Sequence, residues 1–165
     1  MSPAVQTSNS QKTAQIPATL SDKMYIAYSS ATGEFIGLGK DKVFTANDGD
    51  FTTKVINGIV SIDFKGKTTF GESWNLEFAA PGNGKLTLGK YDKAERCAFH
   101  DKTRPGLEFT GSGRGCNKIA GNFNIENILY SGDELKILYL DATFVQYCDE
   151  KAFPLFGRVH YDVRP

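Results

Sequence analysis

The feature that most constrains this chain is a pattern of short alternating segments broken every few residues by glycine, asparagine or aspartate. In Gly58 to Lys65, the side chains of Val60, Ile62 and Phe64 fall on one face and those of Ser61, Asp63 and Lys65 on the other. Trp74, Leu76, Phe78 and Ala80 repeat the alternation, with Asn75 and Glu77 opposite. A period of two belongs to a half-buried strand, because successive strand side chains point to opposite faces. The breaks carry equal information. Asn57-Gly58 suits a two-residue type I′ turn, in which both positions need positive φ. Asn47-Asp-Gly-Asp50 separates Phe44 from Phe51, and Pro81-Gly-Asn-Gly84 ends the tryptophan segment. Ser131-Gly-Asp133 divides Ile119 to Tyr130 from Glu134 to Tyr147, whose Leu138, Leu140, Ala142 and Phe144 share a side.

Met24 to Ser29, the short runs Glu34 to Gly37 and Lys42 to Thr45, and Leu155 to Tyr161 complete the set of strand-like segments. No segment sustains a helical period with caps. The expectation is an all-β domain, an antiparallel β-sandwich of jelly-roll type or a barrel, with about ten short strands. It spans residues 22–165. Residues 1–21 are Ser, Thr, Gln, Ala and Pro with almost no large apolar group, which predicts a flexible leader. There is no internal repeat.

Composition agrees with strands and tight connections: the 165 residues include 17 glycines, 12 phenylalanines and 7 tyrosines. With 19 basic and 19 acidic residues the formal charge is zero, so no basic field exists to hold nucleic acid. No polybasic or amphipathic stretch suits a membrane surface, and the apolar runs fall far short of the roughly 18–20 residues that span a bilayer. The first residues lack the charged and apolar regions of a signal peptide. That leaves a cytosolic chain or the mature form of an exported one.

Three cysteines stand at 97, 116 and 148. No Cys-x-x-Cys occurs and there are only 2 histidines, so neither a metal site nor any cofactor is expected. Cys116 precedes one arm of the hairpin around Ser131 to Asp133, and Cys148 ends the other. Positions 117 and 147 are nearly equidistant from that turn. A bridge across the hairpin base is geometrically natural and would contribute about 3–4 kcal/mol by the chain-entropy argument. The alternative is three reduced thiols in a cytosolic protein. With the bridge, Cys97 is left as a free, partly buried thiol, and the compartment is an oxidising one.

Several residues could carry chemistry, each with a plainer reading beside it. Gly111-Ser-Gly-Arg-Gly115 has phosphate-loop composition, but a hairpin follows it where a phosphate cradle needs a helix N-terminus. Arg114 pairs with Asp149 or Glu150 near the bridge, or faces an anionic ligand. His100 beside Asp101, and His160 near Asp162, are solvated histidines or acid–base groups. No Gly-x-Ser-x-Gly elbow is present. Asp63, Glu72, Glu77 and Glu126 could supply a hydrolytic carboxylate pair, though spacing singles out none. Asn47 to Asp50 reads as a turn before it reads as a calcium loop. Tyr25, Tyr28, Trp74, Tyr91, Tyr130 and Tyr139 could form a sugar-stacking platform, although alternation places Trp74 with the core. The residues assigned to ligand contact are Arg114, Tyr91 and His100.

The stretch Pro105-Gly-Leu-Glu-Phe-Thr-Gly-Ser-Gly-Arg-Gly-Cys-Asn-Lys-Ile-Ala-Gly-Asn-Phe123, with Gln146-Tyr-Cys148 and Phe156-Gly-Arg-Val-His-Tyr161, resembles a group of exported bacterial β-domains. These domains also recur in secreted multidomain proteins. Trp74-Asn-Leu-Glu-Phe-Ala-Ala-Pro81 and Gly89-Lys-Tyr91 fit the same group, so the likeness covers residues 24–162. It implies a secreted or periplasmic β-domain with a Cys116–Cys148 bridge and implies no activity. Tyr147 stands where such domains often carry histidine, so no His-dependent site is implied there. The expected function is a non-catalytic binding or surface-interaction domain, monomeric, for a carbohydrate or a host or cell-surface protein. A small carboxylate-based hydrolase and an inhibitor or exposed antigen-like structural protein are the alternatives.

Overall fold

The computed structural model describes residues 23–68 and 71–165, so the expected leader over 1–21 lies outside the described residues. Ten strands follow one another: β1 (Met24–Ser30), β2 (Asp41–Thr45), β3 (Gly49–Ile56), β4 (Ile59–Gly66), β5 (Ser73–Ala79), β6 (Gly89–Arg96), β7 (Gly106–Gly111), β8 (Ile119–Tyr130), β9 (Ile137–Cys148) and β10 (Pro154–Asp162). All belong to one sheet in the order β2-β1-β10-β9-β8-β6-β7-β5-β4-β3, which curls into a mostly closed, barrel-like cylinder. Of the two architectures expected, the barrel is the nearer. Neighbouring strands run antiparallel with one exception, β6 and β7, which pair in parallel at Glu95 with Gly106 and Arg96 with Leu107.

The alternation predicted from sequence sets the inside of the cylinder. Val60, Ile62 and Phe64 of β4, Trp74, Leu76 and Phe78 of β5, and Leu140, Ala142 and Phe144 of β9 are all buried, and Leu107 and Phe109 of β7, a strand without alternation, join them. Their rings meet in one cluster: Trp74 stacks on Phe109 with centroids 4.9 Å apart, and Tyr28 lies 5.1 Å from Trp74. A fully buried aromatic removes the largest apolar area from water of any side chain, so this cluster is the main source of core stability. The Asn57-Gly58 turn forms as read, with φ of 51° and 77°, and it sets the β3–β4 register Ile56 to Ile59.

One local feature departs from the sequence reading, while the cysteines pair as expected. Glu34 to Gly37 is a turn instead of a strand. The Glu34 carboxylate is buried and accepts hydrogen bonds from Ser30 Oγ at 2.8 Å, Ile36 N at 2.9 Å and Gly37 N at 2.6 Å. Those bonds satisfy backbone donors that a strand would have offered to a neighbour. Cys116 and Cys148 are bridged, their Cα atoms 5.3 Å apart, and the adjoining ladder pairs Ile119 with Cys148. Cys97 is free and buried.

Where the strand ladders stop, the cylinder is closed by one side chain and one backbone bond. Thr53 Oγ donates to the Ile137 carbonyl at 3.2 Å and accepts from Ile137 N at 3.1 Å, and Val55 N donates to the Leu135 carbonyl at 2.8 Å. On the other side, β6 leaves β7 after two pairs, exposing the backbone of Phe109 to the interior. The fully buried Gln146 of β9 meets it, its carboxamide accepting from Phe109 N at 2.8 Å and donating to Phe109 O at 3.0 Å.

Candidate functional site

The outer faces of β4, β5 and β7 bring polar side chains into register. Asp63 pairs across to Asn75 and Asn75 to Thr110, while Lys65 sits opposite Ser73. Beyond Thr110 the chain doubles back through a tight turn. Gly111 N donates to the Arg114 carbonyl at 3.1 Å and Arg114 N to the Gly111 carbonyl at 2.9 Å, with positive φ at Ser112 (49°) and Gly113 (77°). This turn and the strand row enclose an open groove of about 700 Å³. Gly111 is required here, because a Cβ at that position would lie 2.2 Å from the Trp74 ring.

Within the groove, Asn75 Nδ2 donates to Asp63 Oδ1 at 2.7 Å and to Ser61 Oγ at 3.0 Å, and Lys54 lies 3.6 Å from Asp63. Asn75 and Asp63 therefore hold a fixed orientation. The hydroxyls of Ser73, Thr110 and Ser112 and the ammonium of Lys65 have no hydrogen bond or ion pair among the described residues. Trp74 is buried, so the groove offers hydrogen-bonding groups without an exposed ring.

Arg114 lines this groove, and neither Asp149 nor Glu150 is its partner, contrary to the pairing expected from sequence. Its Nε donates to the Ile36 carbonyl at 2.8 Å and its Nη1 to the Ser112 carbonyl at 3.4 Å. The Asp149 carboxylate instead accepts from the backbone of Asn117 and Lys118, both at 2.8 Å, and Glu150 pairs with Lys118 at 3.0 Å. The other two assigned contacts lie elsewhere. The Tyr91 hydroxyl accepts from Thr87 N at 3.1 Å and donates to its carbonyl at 2.9 Å, while the ring stacks on Phe123. His100 uses both ring nitrogens locally, each at 2.7 Å, one on the Arg104 carbonyl and one on the Asn83 side chain. His160 lies between Tyr25 and Tyr139.

The six aromatics proposed as a platform do not share a surface: Tyr25, Tyr28 and Trp74 are buried, and Tyr130 is tied to the Leu86 carbonyl at 2.7 Å. The four carboxylates do not all meet: Glu72 and Glu126 are held by separate partners, while Glu77 is close enough to Asp63 for that charge to act on it. Glu72 accepts from Lys42 and from Trp74 Nε1; burial works against its charge, but these bonds hold it below the usual range. Glu126 pairs with Arg158 at 2.9 Å. Glu77 lies directly across from Glu108, and burial, then that neighbouring charge, pushes its carboxyl up. Cys97 hydrogen-bonds Glu77, and burial, followed by the nearby Glu77 and Glu108 charges, pushes its thiol up to about 12. At neutral pH it is a thiol rather than the nucleophilic thiolate. Among the described residues, no group of three or more His, Cys, Asp or Glu is placed to hold a metal ion, and no helix is long and apolar enough to cross a membrane.

A second concavity, of about 430 Å³, lies at the disulfide end of the cylinder. Phe35, Leu38 and Phe153 line it and are each exposed by 43–50%. Alternation gave no signal for this patch, since all three residues sit in connections that only the fold gathers.

Among the described residues, fold and grooves together define a disulfide-stapled, ten-stranded, barrel-like β-sheet that carries a polar and an apolar surface groove. The chain matches no family model, no curated protein and no solved structure.

Proposed function

We propose that the chain is an exported, non-catalytic binding domain whose ligand is a saccharide seated in the polar groove. The observation that carries this reading is the set of unpartnered hydroxyls of Ser73, Thr110 and Ser112 around the oriented Asp63–Asn75 pair. A saccharide presents adjacent hydroxyls, each both donor and acceptor. A carboxylate, a carboxamide and several hydroxyls in one row complement that arrangement. The groove volume falls within the roughly 300–1,000 Å³ of small-molecule sites. Export is supported by the bridge, since disulfides persist in oxidising compartments. Among the described residues that line the groove, Asp63 is the one carboxylate.

A glycan array followed by titration calorimetry tests this. Asp63→Ala and Asn75→Ala should each weaken a bound glycan at least tenfold while the thermal transition stays close to the parent's. Absence of binding to any glycan at millimolar concentration would sink the proposal, and turnover of a bound glycan would move the protein into the hydrolase class.

The apolar groove favours a second reading, a protein partner anchored by an apolar side chain between Phe35 and Phe153. Exposed aromatics with a charged rim are the usual anchors of such interfaces. A protein partner whose affinity falls with Phe153→Ala and is unchanged by Asp63→Ala would support it.

A further inference from the structure

Resting on the saccharide reading, we infer that the polar groove selects anionic saccharides, carboxylated or sulfated, with Lys65 as the anchoring cation. The inference comes from charge accounting around the groove. Three charged side chains line it: Asp63, Lys65 and Arg114. The Asp63 charge is matched by Lys54 at 3.6 Å and further satisfied by the Asn75 amide at 2.7 Å. Glu72, on whose charge Arg114 acts, is committed to Lys42 and to the Trp74 indole, and the Glu34 carboxylate is committed to Ser30 and the backbone of Ile36 and Gly37.

Among the described residues neither cation has an ion-pair partner. Lys65 is exposed and faces Asp50 across β3 and Ser73 across β5, yet forms an ion pair with neither Asp50 nor any other described residue. Arg114 makes no ion pair with a described residue: it donates to two carbonyl oxygens and lies over the Trp74 ring at 5.9 Å, contacts that position the guanidinium without placing a carboxylate against it. A guanidinium so placed presents its remaining N–H groups as a fork for an oxyanion. A neutral sugar would use the hydroxyl row and leave this positive charge uncompensated. A uronate carboxylate or a sulfate ester on the same ring system would use both.

The test compares oligogalacturonate, its methyl-esterified form of the same length, and a sulfated galactan oligomer, each titrated into the native protein and into Lys65→Gln. The expected result is that at least one anionic ligand binds fivefold or more tighter than the methyl ester, that this advantage shrinks with added salt, and that Lys65→Gln abolishes it. Which anionic ligand binds tighter identifies the carboxylate or the sulfate as the recognised group. Equal affinity for the acid and its ester, or an equal loss for both in Lys65→Gln, would overturn the charge preference while leaving the saccharide reading intact. Binding to none of the three, nor to any arrayed glycan, would overturn both.

Discussion

Gln146 is fully buried, and its carboxamide answers both backbone groups of Phe109 where no strand reaches them. Gln146→Leu would fill the same space and leave a buried donor and acceptor unmatched, each costing about 1–3 kcal/mol. A fall of about 2–5 kcal/mol in unfolding free energy is expected from urea titration, and a change under 1 kcal/mol would refute this role. Glu77 poses the opposite case. Its carboxyl is raised by burial and by Glu108 across the ladder, so the folded state keeps that proton to higher pH than the unfolded chain does. The stability this residue contributes is therefore present below the ordinary glutamate range, near 4, and declines as pH rises through the folded value. Glu77→Gln should accordingly stabilise the protein at pH 7, with the gain vanishing toward pH 4 in urea midpoints; a gain that grows on acidification would contradict it. The polar identity of Asp63 and Asn75 was legible from alternation, since both fall opposite the apolar row. The partners of Arg114 were not, because Ile36 lies far away in sequence and joins it only through the fold.

At the scale of elements, the β8–β9 hairpin and its bridge form one unit. The covalent link closes a loop of separation 32 and adjoins the last ladder pair, so it removes conformations from the unfolded chain while the register supplies the geometry. Replacing both Cys116 and Cys148 with serine should lower stability by about 3–4 kcal/mol. Denaturant curves for the variant and for the reduced parent should coincide, and a reductant effect on the variant itself would point to another bond. This hairpin and β3–β4 were readable in advance because turn chemistry and periodicity are local properties. Strand β7 was not, as its first four residues are all buried and show no alternation. The Glu34 turn was hidden for a different reason: a carboxylate buried to satisfy backbone donors resembles a surface residue in sequence.

For the whole molecule, stability depends on closing the cylinder. Thr53 does this with a single hydroxyl that both donates to and accepts from Ile137, a residue of β9 that is itself buried. Thr53→Val keeps the shape and removes both bonds, so it should cost about 1–3 kcal/mol and lower the thermal midpoint with the far-ultraviolet β signal intact below it. An unchanged midpoint would show that closure lies elsewhere. Both grooves exist only at this scale. The polar one needs β4, β5 and β7 in register, and the apolar one needs the 31–40 and 149–153 turns at the same end. The amino-acid sequence by itself determined the strand class, the hairpin turns, the core faces of β4, β5 and β9 and the bridged hairpin, because each is written within a few residues or across one turn. The tertiary structure alone decided the strand order, the parallel β6–β7 contact, the closing bonds and which exposed groups share a groove. Those depend on pairings between segments distant in the chain, and a period of two is the same whichever neighbour a strand takes.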